Sequence, residues 1–398
     1  MVIRTKPMIG IVIATLVAIL IFNFAAIRPA IAHSEEEEEG HLVPHEIGKL
    51  NITGGITSIL QGTSGIADNS DVTDFTYTLD LNFEAAISPA GKVVIALEAG
   101  NGTGVNDING TEHFLSVPNY DAFITEIAGI AAIAVSQVYF EGSFLDGRLG
   151  LHAGKLDVHS LYDENIYAND ETDQFISGIF TRYPGSIFPE LDSYYAPGVA
   201  LTFMPSEMVE IRLIGANGMN SGFENIFENA YGVGHIHIKP RFLGREGNYR
   251  VHYIYDARNF TNISSGEPEE NTGFGFSLDQ EVADDIGLFA RYAMQDEDHE
   301  ENLVKSAISG GVSLSGSLWD RKNDVVGIAY GILSVNDKAP DIAAISNSGD
   351  EGHFEIYYKL GFSDHFTLTP DLQVITNTGG DADNDTTTVY GVRAQMNF

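Results

Sequence analysis

The sequence predicts an all-β fold: a transmembrane antiparallel β-barrel of about sixteen strands with a long, inward-folded third loop. Three observations predict it. Many segments alternate apolar and polar residues with period two, and the last of them ends on an aromatic, Phe398. The links between these segments alternate short and long. Beyond the N-terminal region, no stretch approaches the ~18 consecutive apolar residues a membrane helix needs. A chain that crosses lipid without such helices must close its own backbone ladder as a barrel.

The N-terminus carries an export signature. Arg4 and Lys6 precede a mostly apolar run from Met8 to Ile27, followed by Pro29 and the small-x-small sequence Ala30-Ile31-Ala32. Residues 1–32 are expected to be a signal peptide cleaved after Ala32, with a retained helical anchor as the rival reading. Residues 33–47, containing Glu35 to Glu39, read as an acidic flexible leader, because such a segment buries no core. The expected barrel domain is 48–398.

Charge and cysteine content narrow the function classes. The net charge is −35, and the chain contains no cysteine. Nucleic acid is excluded as a partner, since its binding needs a basic surface. Disulfides, thiolate catalysis and Cys-based metal sites are excluded as well.

Strand candidates start near residues 48, 73, 92, 135, 147, 198, 207, 231, 247, 272, 285, 305, 324, 352, 365 and 387. In the second, Phe75, Tyr77, Leu79, Leu81 and Phe83 alternate with Thr76, Thr78, Asp80, Asn82 and Glu84. Near the end, Phe366, Leu368, Leu372 and Val374 oppose Thr367, Thr369, Asp371 and Gln373. The closing strand sets Tyr390, Val392, Ala394, Met396 and Phe398 against Arg393, Gln395 and Asn397. Such strands present one apolar and one polar face. Short links such as Ser88-Pro89-Ala90-Gly91 and Leu145-Asp146-Gly147 alternate with long ones near 100–134, 157–197 and 257–271. Membrane barrels show this rhythm, with tight periplasmic turns and longer outer loops.

The third long connection, Asp157 to Pro197, is aromatic and acidic. Asp163, Glu164, Asp170, Glu171 and Asp173 accompany Tyr162, Tyr167, Phe175 and Phe180, and Arg182 is the only lysine or arginine. These aromatics need a surface to pack on, and the inside of a sixteen-strand barrel is wide enough to supply it. Packing on neighbouring outer loops is the rival reading. Strand parity then turns Arg212, His237, Lys239, Arg250, His252, Arg291, Glu355, Lys359, Asp371, Gln373 and Arg393 towards the lumen, as pore-lining or solute-binding residues. Aromatics can stack on sugar rings, and carboxylates and guanidinium groups can bond hydroxyls.

No catalytic residue is expected, since neither a G-x-S-x-G nor an H-E-x-x-H pattern occurs. No cofactor and no metal are expected: His235-Ile236-His237 places two imidazoles on one strand face, but nothing completes a ligand set.

Several stretches carry a family resemblance. They are Asp285-Ile286-Gly287-Leu288-Phe289-Ala290-Arg291-Tyr292, Asp324 to Gly331, Phe354 to Tyr358, Leu368 to Ile375, and Gly391-Val392-Arg393. Gly154-Lys155-Leu156-Asp157 and Asn165 to Phe175 extend the similarity towards the N-terminus. The chain resembles the carbohydrate-selective porins of the OprB type over about residues 135–398. The resemblance implies a sixteen-stranded outer-membrane channel for facilitated diffusion of small carbohydrates. The acidity and the Glu-rich leader depart from the pattern. The negative net charge and the acidic third loop motivate a second reading: a general or cation-preferring diffusion porin for small hydrophilic solutes and ions. An outer-membrane barrel enzyme is the third reading, and it has no motif behind it. The expected partners are small solutes and outer-membrane lipid, with a homotrimer left open.

Overall fold

Period-two alternation becomes a closed wall in the computed structural model, which describes residues 45–47, 50–66, 71–106, 115, 117–127, 130–182, 194–219, 222, 229–242 and 244–398. The expected signal peptide and nearly all of the acidic leader lie outside the described residues. The first half of the wall is β1 (Leu50–Ser64), β2 (Thr73–Ser88), β3 (Gly91–Asn101), β4 (Ala134–Phe144), β5 (Leu149–Asp157), β6 (Tyr195–Ser206), β7 (Val209–Asn217) and β8 (Ala230–Ile238). The second half is β9 (Arg245–Thr261), β10 (Pro268–Ala283), β11 (Ile286–Gln295), β12 (Val304–Ser315), β13 (Val325–Val335), β14 (Glu351–Ser363), β15 (Phe366–Thr376) and β16 (Thr387–Asn397). Each strand pairs antiparallel with its sequence neighbours, and β16 pairs with β1, so the sixteen form a closed barrel. Two short pieces, His45–Ile47 and Arg241–Phe242, add to β1 and β9. No helix among the described residues is long and apolar enough to cross a membrane.

The seam is tight. Thr388 to Asn397 run opposite Ser64 to Gly55. Beyond them, Gly54 and Phe398 exchange both backbone hydrogen bonds at 3.0 Å. A Cβ on Gly54 would stand 2.5 Å from the Asp80 carbonyl and 2.8 Å from the Phe398 ring, so only glycine lets the terminal aromatic lie there. Tight turns close the other end of the hairpins. Leu145 and Asp146 take positive φ ahead of Gly147, as a short reverse turn demands.

The two faces of the wall differ. Large apolar side chains such as Leu213, Ile236, Tyr253, Leu288, Tyr330 and Tyr390 are exposed on one. The alternate positions, such as His235, His252, Arg291, Glu355 and Arg393, are buried on the other.

Two long connections pack on that buried face. Between β3 and β4 lies helix α1 (Tyr120–Ile127), which the sequence reading did not anticipate. Asn119 precedes it, and its side-chain oxygen accepts from the Ala122 amide at 2.9 Å, an N-cap for the helix. Between β5 and β6, a 3-10 turn (His159–Leu161) and a one-turn helix α2 (Gly178–Thr181) organise residues 158–182. Phe175, Ile179 and Phe180 join Phe289, Ala329, Leu333 and Tyr357 of the wall in one apolar cluster. Tyr162 joins Tyr231, Val233 and Ile254 in another.

Candidate functional site

Residues 158–182 are tied to the wall by charge as well as by apolar packing. Arg291 on β11 donates from Nη1 to the carbonyls of Ala168 (2.7 Å) and Phe180 (2.6 Å), and its Nη2 pairs with Asp163. Arg393 on β16 donates to the carbonyls of Glu171 (2.8 Å) and Gln174 (2.9 Å). Glu355 on β14 accepts from the amides of Ile176 (2.7 Å) and Ser177 (3.0 Å). Lys359 reaches Asp173 at 2.6 Å. Arg212 and Arg250 each stand 3.5 Å from Glu164. Burial pushes the Asp163 carboxyl up, against the opposite pull of Arg291 and Arg182.

Glycines make room for this docking. A Cβ on Gly287 would meet the Tyr167 ring at 2.0–2.5 Å, and one on Gly331 would meet Ile179 at 2.6 Å.

The sequence-predicted residues fall into two groups. His237, Arg250, His252, Arg291, Glu355, Asp371, Gln373 and Arg393 are buried. Arg212, Lys239 and Lys359 keep part of their surface open. Their charges are largely matched locally: Arg250 pairs with Asp279 at 2.6 Å, Arg212 with Glu210 at 2.6 Å, and Lys239 lies 3.6 Å from Glu210. His237 bonds Asn248 at 2.9 Å, His252 packs edge-on to Tyr162 with centroids 4.9 Å apart, and Gln373 donates to Asp371 at 3.1 Å. On the connection, Asp163 and Arg182 are buried, Glu164, Glu171 and Asp173 are part-exposed, and Asp170 is exposed. Asp170 also folds its own turn, accepting from the amides of Thr172 (2.9 Å) and Asp173 (3.2 Å).

The segment leading into α1 reinforces the same arrangement. Tyr120 donates its amide to Ile176 and Gly178 donates to Val117, both at 2.9 Å, so the two connections are stitched to each other. The Pro118 carbonyl accepts from Gln373 on β15 at 2.9 Å and from Gln61 on β1 at 3.3 Å. Thr78 on β2 donates to Asp121 Oδ1 at 2.9 Å.

A cavity of about 340 Å³ remains beside α1. Asp80, Glu98, Asp121, Asp157, Asp170 and Glu171 line it, together with Arg182, the single base among the described lining residues, and the rings of Tyr194 and Tyr195. Tyr195 fixes Glu98 by a 2.5 Å bond to Oε2. Loss of hydration pushes the Glu171 carboxyl up to about 7, with Arg182 opposing and Asp170 adding to the shift. Of these acids, sequence reasoning singled out Asp170 and Glu171. Asp80 was visible only as one of the polar residues of β2. Asp121 was hidden because α1 was not foreseen.

The carbohydrate-selective porin, OprB family, matches residues 66–398. The chain belongs to that family. Porin AaxA of Chlamydia abortus is 24% identical over 268 residues, which span 66% of this chain but only 57% of that relative's length. Porin B of Pseudomonas aeruginosa is 22% identical over 315 residues, covering 66% of this chain and 67% of the relative. Among solved structures, the high-pH structure of Pseudomonas putida OprB superposes with a TM-score of 0.72 at 16% identity, covering 88% of this chain and 94% of that one. The superposition matches the sixteen-strand barrel, and membership of the porin family supports a channel. They also support an outer-membrane location.

Proposed function

We propose that this porin gives passive, facilitated diffusion to small carbohydrates through a water-filled passage, with residues 158–182 and α1 together narrowing the lumen. The exposed apolar face of the wall meets outer-membrane lipid, and residues 1–32 direct export and are removed. The observation that carries the reading is the cavity beside α1. Hydroxyl, amide and carboxylate groups from both connections and from β2–β5 surround it. A solute there can exchange hydration for hydrogen bonds weak enough to release it again. Tyr194 and Tyr195 add flat surfaces suited to a sugar ring.

Liposome swelling with hexoses and with non-sugar solutes of matched size tests the carbohydrate reading. Faster entry of the hexoses is expected, and equal rates would reduce the channel to a size filter. The general, cation-preferring porin is the second reading, favoured by the excess of acids over bases among the described residues of the cavity. Reversal potentials across a planar bilayer in a salt gradient distinguish the two. Strong cation preference without any sugar block would sink the first.

A further inference from the structure

Glu355 meets the docked connection on one side and another acid on the other. Its Oε1 and Oε2 accept from the amides of Ile176 (2.7 Å) and Ser177 (3.0 Å), which lead into α2. Across the β14–β15 ladder it faces Gln373, and Asp371 lies two residues earlier on the same face of β15. Diagonal neighbours of that kind are within reach of long side chains. Here the two carboxyl groups meet in a hydrogen bond. Both residues are shut off from water, Glu355 at 0% exposure and Asp371 at 6%.

Donors are short on the Asp371 side. Gln373 donates to Oδ1 at 3.1 Å, whereas Oδ2 is buried and receives no N–H or hydroxyl among the described residues. An ionised carboxylate only accepts, so two of them cannot bond each other. One proton between them supplies the missing donor and removes one of two like charges from a buried site. The surrounding groups do not take its place. β14 adds His353, Tyr357 and Lys359, β13 presents Ala329 opposite Glu355, the connection adds Asp170, Glu171 and Asp173, α1 adds Asp121, and β16 adds Arg393. Lys359 is committed to Asp173 at 2.6 Å, and His353 to Glu351 (2.8 Å) and Ser177 (3.2 Å). Arg393 gives Nη1 to the carbonyls of Glu171 and Gln174, and its field reaches Asp371. One shared proton leaves the acid pair with one negative charge opposite that one positive charge.

We propose that Asp371 is a positioning residue for the passage: the proton it shares with Glu355 keeps Glu355 on the amides of Ile176 and Ser177, and so holds residues 158–182 against the wall. The inference rests on the channel reading, in which that segment narrows the lumen. Loss of the proton to solvent leaves two like charges in contact beside one counter-charge, and the segment is released as pH rises. One proton held by the docked state and lost on release changes the released fraction by up to about tenfold per pH unit.

Single-channel recording and hydrogen exchange between pH 5 and 8 test this on the full barrel. In the unaltered protein the released state, read as larger and noisier conductance, should become more frequent as pH rises, by up to that factor per unit. Protection of the Ile176 and Ser177 amides, corrected for intrinsic exchange, should fall in step. Asp371→Asn keeps an N–H for Glu355 and has no proton to lose, so it should flatten both trends. An infrared difference spectrum of the two proteins at pH 7 should show the carbonyl stretch of a protonated carboxylic acid in the unaltered protein alone. A merely structural role for Asp371 moves neither the slope nor that band. An undiminished slope in folded Asp371→Asn overturns the shared proton, and so does a missing acid band. If the variant does not fold, amide protection in the unaltered protein that stays constant from pH 5 to 8 overturns it. Absence of conductance through a folded barrel overturns the channel reading instead, and the infrared band and amide protection then judge the proton by themselves.

Discussion

Replacing Arg291 with methionine tests whether charge holds residues 158–182 to the wall. Both side chains of the Arg291–Asp163 pair are almost fully buried, at 1% and 2% exposure. The same guanidinium also satisfies the carbonyls of Ala168 and Phe180. Removing one partner of a buried pair costs about 3–5 kcal/mol. That multiplies the detached fraction of the segment by about two to three and a half powers of ten. The penalty has a sign in pH. The Asp163 carboxyl is already raised by burial, and losing Arg291 removes a force that lowers it. A carboxyl with a raised folded-state pKa favours docking while protonated and loses that contribution as pH rises through the raised value. R291M should therefore be mild at acid pH and severe at pH 8. Single-channel recording should show larger, noisier conductance, and limited proteolysis should cut within 158–182. Adding Asp163→Leu should recover part of the loss, because removing both charges leaves only the two carbonyls without donors. Unchanged conductance, noise and cleavage in R291M at pH 8 would refute the argument, and so would a double variant as defective as the single one.

Glu355→Gln replaces an oxygen that accepts an amide with an NH₂ group that cannot, at either Ile176 or Ser177. Docking should weaken by about 1–3 kcal/mol, seen as faster hydrogen exchange at those two amides. Cation over anion selectivity should rise with pH, with a midpoint between the ordinary carboxylate range and about 7, as Glu171 ionises among Arg182, Asp170, Asp157, Asp121 and Asp80. A flat reversal potential between pH 5 and 8 would count against this assignment. Gly54→Leu should disturb the seam, since the new side chain collides with the Asp80 carbonyl and the Phe398 ring. The expected readout is loss of the compact, unheated band on cold SDS electrophoresis.

The wall was legible because its causes are local. Alternation at Phe75–Phe83 and Phe366–Val374 sets two faces, and a solvent on each side fixes which faces water. The turns show in short polar links such as Ser88-Pro89-Ala90-Gly91. The docked connections were only half legible. Eight aromatics in residues 157–197 demanded a packing partner, but nothing in the order of residues says that Ile176 and Ser177 meet Glu355, 179 and 178 positions away. Helix α1 is short, and its N-cap Asn119 is also committed to Gln61 at 2.9 Å. Its register depends on the wall rather than on its own sequence. The cavity acids were the least legible, because Asp80, Glu98 and Asp121 come from three separate elements and acquire a common role only when those meet.

The stitched connections also have a mechanical meaning. Thr78, Arg212, Arg291, Glu355, Gln373 and Arg393 lie on β2, β7, β11, β14, β15 and β16, and each holds the connections by at least one bond. With the connections inside the lumen, as proposed above, the result would resemble a rim laced to its hub. An empty sixteen-strand hoop can be squeezed into an oval by lateral tension with little rupture of its ladder. A laced one cannot, because any flattening stretches some spokes while compressing others. Conductance should then stay constant when the surrounding bilayer is thinned or stretched, and cutting the lacing should make the same pore compliant.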